Sequence, residues 1–152
     1  MIFVIQRVNK SQVLIEKKII SEIKKGLLIF IGIDKSDKKT DIESIVKKTL
    51  NIRIFPDAKN NMNLSVKDID GEIMIVSQFT LCADTKKGRR PSFINAAIPS
   101  KAKVIYNDVI KKFKEMNLNI KTGEFGENMN VEISNNGPVT IILNSKDTNN
   151  EN

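Results

Sequence analysis

The sequence predicts one α+β domain in which a curled, barrel-like β-sheet carries two main helices. Three observations lead there. The 152 residues are 40% hydrophobic, the size and apolar content of one compact domain with its own core. Most apolar residues fall in strand-length runs rich in Ile and Val, separated by polar joints. Two segments switch to helical spacing, without the strict strand–helix alternation of a parallel βαβ fold.

The first strand is read over "IFVIQRV", residues 2–8, with Gln6 and Arg7 as polar interruptions near its end. "QVLIE" (12–16) and "KIISEI" (18–23) form a hairpin around Lys17 and Lys18. "GLLIFIGI" (26–33) is apolar on both faces, as a central strand must be. Beyond it the period becomes helical. Ile42, Ile45, Val46, Thr49 and Leu50 make one stripe, and Thr40 followed by Glu43 reads as a capping box. "NIRIF" (51–55) is a short strand stopped by Pro56 and the polar "DAKNN". "GEIMIVSQFTL" (71–81) is another apolar run that changes character at Ser77.

The loop "CADTKKGRRPSF" (82–93) leads to the second helix. After Pro99 and Ser100 its inner face is Ala102, Ile105, Tyr106, Val109, Phe113 and Met116. Strands return at "NIKTGEF" (119–125), "NVEIS" (130–134) and "VTIILN" (139–144). The domain is therefore bounded at 1–145, and "KDTNNEN" (146–152), with no hydrophobic residue to anchor it, is expected to be a disordered polar tail.

Lys and Arg number 25 against 18 Asp and Glu, a net charge of +7, which favours a polyanionic partner such as nucleic acid. The single cysteine excludes an internal disulfide and any multi-thiolate zinc site, and fits a reducing compartment. No apolar run is long enough to cross a bilayer, and the first residues lack a basic n-region and cleavage signal, so a cytoplasmic protein without membrane association is expected. Most informative is the complete absence of histidine. Ser-His-Asp and Cys-His triads and His-bearing metal sites are ruled out by composition, and no metal or cofactor is expected.

Four places remain where chemistry can sit. "SQFTL" (77–81) ends an apolar strand in hydroxyls and an amide. Ser77, Gln78, Phe79 and Thr80 either satisfy local backbone groups or mark a turn whose backbone N–H groups stabilise an oxyanion without a titrating side chain. Gly137-Pro138 reads as turn chemistry, or as a rigid unit whose carbonyl oxygens are bare enough to receive an ammonium group. "KKGRRPSF" (86–93) is either a solvated loop or an electrostatic path for an RNA backbone. Phe125 and Met129 either pack in the core or stack on a base, and Cys82 reads as a small buried residue.

Taken together, "VIQRV", "GLLIFIGI", "LNIRIF", "MNLSV", "SQFTL", "ADTKKGRRPSF", "TGEFGENM" and "NNGPVT" resemble the D-aminoacyl-tRNA deacylases of the bacterial and eukaryotic type, in family order and over residues 1–145. The resemblance implies a homodimer that hydrolyses the ester of D-aminoacyl-tRNA and releases free D-amino acid and tRNA. Its partner is the aminoacyl-tRNA 3′ end. Ser77, Gln78, Phe79 and Thr80 would line the catalytic pocket, and Gly137 and Pro138 of the other subunit would reach in as a cis peptide with their carbonyls facing the substrate amino group. Arg7 would support that orientation, and Phe125 and Met129 would lie near the terminal adenosine. A wall that rejects an L side chain cannot reject glycine by shape, so glycyl-tRNA is an expected second substrate. The chain departs from the family where Asn136 replaces the usual Asp, where Ile2 replaces a frequent basic residue, and in a hairpin, "EKKIIS", without glycine.

Three other readings compete. A related subgroup holds the Gly-Pro peptide trans and admits small L-aminoacyl esters, and Arg7 argues against it. A non-catalytic RNA-binding module would bind RNA without ester turnover. A purely structural dimer would use every motif for packing.

Overall fold

The structure, a computed structural model, describes residues 1–148. Its spine is β1 (Ile2–Ile15), a single strand where the sequence reads two. One edge of β1 is shared: Ile2 to Val8 pair antiparallel with β3 (Gly26–Gly32), and Ser11 to Ile15 pair with β2 (Lys18–Ile23). Along the other edge runs β8 (Asn130–Asn144), from Asn144 opposite Ile2 to Asn130 opposite Leu14. Changing neighbours halfway along forces the sheet to curl, and β2 comes back towards the parallel strands β6 (Glu72–Ser77) and β7 (Ile120–Thr122). The result is one domain with a nearly closed, barrel-like sheet.

Two helices cover the outside: α1 (Lys39–Asn51) and α2 (Pro99–Lys114). Alternate residues of the central strands, Phe3, Ile5, Leu27, Ile29, Ile31, Ile73 and Ile75, face them. There they meet Ile42, Ile45, Leu50, Ile105, Val109 and Phe113 in the main core. The opposite parity, Val8, Leu28, Met74 and Val76, closes a smaller core inside the barrel with Val13 and Ile23. A ribbon of β4 (Phe55–Pro56) and β5 (Met62–Leu64) lies to one side.

Several expectations are corrected. β8 is continuous through the stretch read as two strands with a turn between. Gln6 faces Thr140 and Val8 faces Asn135, so residues 136–139 bulge opposite Arg7 alone. Of "NIRIF", only Phe55 is strand, because α1 continues through Asn51. α1 begins before Thr40, and Asp41 rather than Glu43 supplies the cap: its Oδ2 accepts the Lys38 N–H at 2.8 Å. α2 stops at Lys114, leaving Met116 beyond the helix and 42% exposed. β6 ends at Ser77, and "NIKTGEF" is strand only over Ile120–Thr122. Ser145–Thr148 form one helical turn, α3, so part of the segment read as tail is ordered, while 149–152 lie outside the described residues. The hairpin without glycine turns through Glu16 and Lys17, at φ 48° and 66°, a backbone that glycine or asparagine adopts more cheaply.

Candidate active site

Ser77 closes β6 opposite Ile31 of β3. There the parallel pairing ends: the Gln78 N–H donates to the Ile31 carbonyl at 2.8 Å, and the chain winds into a short 3₁₀ turn, Phe79–Cys82. Gly32 makes room for it. A Cβ at Gly32 would lie 2.7 Å from Leu81 Cβ and 3.4 Å from the Gln78 carbonyl oxygen, so any side chain would push the turn off the sheet. The first N–H groups of such a turn have no partner within it. Among the described residues those of Phe79 and Thr80 have none elsewhere. Gln78 Nε2 donates to Thr80 Oγ1 at 2.6 Å.

The turn forms one rim of a cavity of about 490 Å³ at the C-terminal ends of β3 and β6. Ile31, Ile33 and Ser77 belong to the strand side, Ala97, Pro99 and Ala102 to the start of α2, and Phe79, Phe93 and Phe125 bring three rings to it. Phe79 is 58% exposed and meets the edge of Phe93 at 5.0 Å between ring centres. Phe125 leans on Tyr106 at 5.5 Å, and the Tyr106 hydroxyl donates to the Ile75 carbonyl at 2.8 Å. Burial, with Glu124 nearby, pushes that hydroxyl far above the usual phenol range, so it is a fixed strut and not an acid. Of the side chains that line the cavity, only Ser77 is polar. Such a site suits a flat or apolar group held against rings, with polar recognition left to the rim.

The sequence-derived site residues divide into three places. Ser77, Phe79 and Phe125 line the cavity, and Gln78 and Thr80 stand on its rim. Met129 is elsewhere: it packs on the inner core and its Sδ would meet a Cβ at Gly123 at 2.7 Å. Gly137, Pro138 and Arg7 occupy the opposite end of the sheet. The Gly137-Pro138 peptide is cis, both residues are exposed, and Gly137 has φ 125°. Arg7, 8% exposed, donates from Nε to the Asn136 carbonyl at 3.0 Å and from Nη1 to the Ile54 carbonyl at 2.5 Å. Asn136, in the place of the family's Asp, donates its amide to Asn9 Oδ1 at 2.7 Å.

Cys82, the last residue of the turn, is buried. Burial, with Asp34 and Asp37 adding to it, pushes its thiol up, which leaves it a packing residue. No cluster of three or more His, Cys, Asp or Glu side chains able to hold a metal occurs among the described residues. Sequence reasoning missed Gly32, Tyr106 and the wall from Ala96 to Pro99. The glycine in "IFIGI" was a visible signal that something approaches the backbone there. Nothing in the sequence marked the α2 wall.

The fold and the cleft define a class: a single-domain α+β protein with an apolar, ring-lined pocket at the ends of two parallel strands. A family model described as D-Tyr-tRNA(Tyr) deacylase matches residues 4–144, and the chain belongs to that family. It is 52% identical over 144 residues to the D-aminoacyl-tRNA deacylase of Thermosipho melanesiensis, covering 94% of this chain and 96% of the relative. It is 50% identical over 146 residues to that of Thermodesulfovibrio yellowstonii, covering 96% and 100%. Among solved structures, the c-Myc DNA Unwinding Element Binding Protein is 38% identical with a TM-score of 0.90 over 95% of this chain and 98% of its own. A probable eukaryotic D-amino acid tRNA deacylase, at 15% identity and TM-score 0.81 over 93% and 97%, shares the fold.

Proposed function

We propose that the protein hydrolyses the ester of D-aminoacyl-tRNA, with its catalytic groups at the end of β6. The observation that carries the proposal is the pair of unpartnered backbone N–H groups of Phe79 and Thr80 at the rim of an apolar cavity. Water adds to the ester carbonyl carbon, and the oxyanion that forms is received by those two donors. The bond to the terminal ribose oxygen then breaks, that oxygen takes the proton from the attacking water, and D-amino acid and tRNA leave. The neighbouring ribose 2′-OH positions the water, because the lining offers no base. Thr80 as nucleophile is the weaker reading: its hydroxyl is hydrogen-bonded to the Gln78 amide, and neither face of an amide can take its proton. The adenine of the tRNA end fits the ring-lined part of the cavity at Phe125. Met129, on the other core, supports the loop that carries Phe125.

Chiral selection is assigned to Gly137 and Pro138 of a second copy. Within one chain the bulge lies level with Leu27 and the turn level with Ile31, four residues along β3 and three strands across. At about 3.3 Å per residue and 4.8 Å per strand, the separation is on the order of 20 Å. A twofold axis through the row Ile142, Val4 and Phe30 would exchange the two ends, and that row is an apolar, partly open sheet face, with Ile142 69% exposed. The partner's Gly137 and Pro138 carbonyls would then face the substrate amino group and leave space for hydrogen only where an L side chain would project. Glycine passes such a filter.

The deciding measurement is deacylation of matched D-tyrosyl- and L-tyrosyl-tRNA with a chelator present. Loss of the D-ester alone is expected. Loss of both would remove the chiral assignment, and loss of neither would leave an RNA-binding module. Thr80→Ala is expected to retain turnover within about tenfold of the parent, since one hydrogen bond and not the nucleophile is removed. A trapped acyl-Thr80 would reverse the mechanism.

A further inference from the structure

Resting on that reading, we infer that the loop of residues 84–92 is a tongue that grips the phosphates of the single-stranded tRNA 3′ end next to the pocket. Its root is a two-bond bridge: the Asp84 N–H donates to the Ser92 carbonyl at 2.7 Å, and the Ser92 N–H donates to the Asp84 carbonyl at 2.9 Å. The root joins the catalytic turn on one side and Phe93, a cavity residue, on the other. Whatever leaves the pocket along this rim meets the tongue next.

Residues 85–91 are all exposed, and Lys86, Lys87, Arg89 and Arg90 make no ion pair among the described residues. The only acid in the loop, Asp84, accepts the Lys86 backbone N–H through Oδ1 at 2.9 Å, which holds its carboxylate at the root. Gly88, at φ 68° with nothing within 4 Å of a Cβ built there, leaves bare backbone at the tip. Four unneutralised cations around a bare tip are suited to a chain of phosphates, and contacts to phosphate carry no sequence information. Length selects the occupant: about four residues from root to tip reach about 13 Å, well short of the roughly 34 Å of one duplex turn. A short single strand leaving the cavity is matched by that reach.

The test uses uncharged tRNA and the same tRNA trimmed of its single-stranded 3′ end, with dissociation constants measured between about 50 and 200 mM salt. Each phosphate neutralised on a single strand contributes about 0.7 to the log–log salt slope. The wild-type slope is expected to be steeper on intact than on trimmed tRNA by up to about 2.8. In the variant Lys86→Gln/Lys87→Gln/Arg89→Gln/Arg90→Gln the two slopes should coincide. In deacylation of D-tyrosyl-tRNA that variant should raise KM far more than it lowers kcat. If the variant weakens both RNAs equally, or neither, the tongue does not hold the 3′ end and the inference falls. Because the binding measurement needs no turnover, failure of hydrolysis by the wild type would overturn the deacylase reading without deciding this one.

Discussion

Arg7 is a buried cation that meets backbone rather than carboxylate. Its guanidinium joins the Ile54 carbonyl, at the exit of α1, to the Asn136 carbonyl, at the start of the bulge that presents Gly137 and Pro138. A Cβ on Gly137 would lie 3.0 Å from Arg7 Nη2, so the bulge is seated on the arginine itself. Arg7→Met keeps the stem and removes the donors, leaving the buried Ile54 carbonyl and the half-buried Asn136 carbonyl without this partner. We expect a loss of about 2–4 kcal/mol in denaturant unfolding, together with reduced discrimination between D- and L-esters. Arg7→Lys should recover part of the stability only, since one ammonium cannot reproduce a fork that serves two carbonyls in different directions. A variant as stable and as selective as the parent would remove Arg7 from this role. The arginine was legible in the sequence as a polar residue in an apolar strand; its two partners, 47 and 129 residues away, were not.

At the scale of elements, the site depends on how closely the 3₁₀ turn lies on β3. Gly32→Ala would put a methyl group 2.7 Å from Leu81 Cβ, and the turn must move by several tenths of an ångström to admit it. Displacing the Phe79 and Thr80 N–H groups, the proposed oxyanion donors, is expected to lower kcat by about tenfold or more while the chain remains folded. Circular dichroism and a thermal melt check the folding, and single-turnover deacylation checks the chemistry. Unchanged single-turnover kinetics would mean that the turn is not the oxyanion site. The element boundaries explain why this was hard to read. "GEIMIVSQFTL" is apolar past Ser77, so its composition continues the strand although its pairing with β3 stops. Likewise β1 and β8 read as two strands each, because polar residues at their centres break the apolar pattern, while the β1–β8 ladder bulges opposite Arg7 and resumes beyond it.

For the whole molecule, the proposed site is complete only in a dimer. Ile142→Glu introduces a charge into the row with Val4 and Phe30, twice over in a symmetric interface, and should weaken association on the order of 100-fold. Sedimentation velocity should then show monomer where the parent is expected to be a dimer, with deacylation lost in parallel. An active monomer would place Gly137 and Pro138 outside the site. Acid should act on the fold through its loops. Asp57 is held below the usual carboxylate range by the Asn61 and Lys59 backbone N–H groups, and Asp68 by the Ser65 hydroxyl and N–H. Groups whose folded pKa is lowered contribute stability above their unfolded value, about 3.9, and lose it as pH falls through the folded one. Urea midpoints should therefore fall below about pH 4, and Asp57→Asn should blunt that fall. With no histidine in the chain, no imidazole adds a step near neutrality.

By itself the sequence determined the α+β class, the two amphipathic helices, the basic balance and the exclusion of histidine chemistry, because each depends on composition or on local period. Its motifs, taken in order, also determined the family. Only the tertiary structure decided that Phe125 belongs to the cavity and Met129 to the other core, although they stand four residues apart. It alone decided that Gly137-Pro138 lies in a bulge of β8, far from its own chain's pocket, and that Gly32 is the seat of the 3₁₀ turn at the cavity rim. Those facts depend on which strands pair and in what register. Register is set by the summed burial of residues distant in the chain, which no local window of sequence contains.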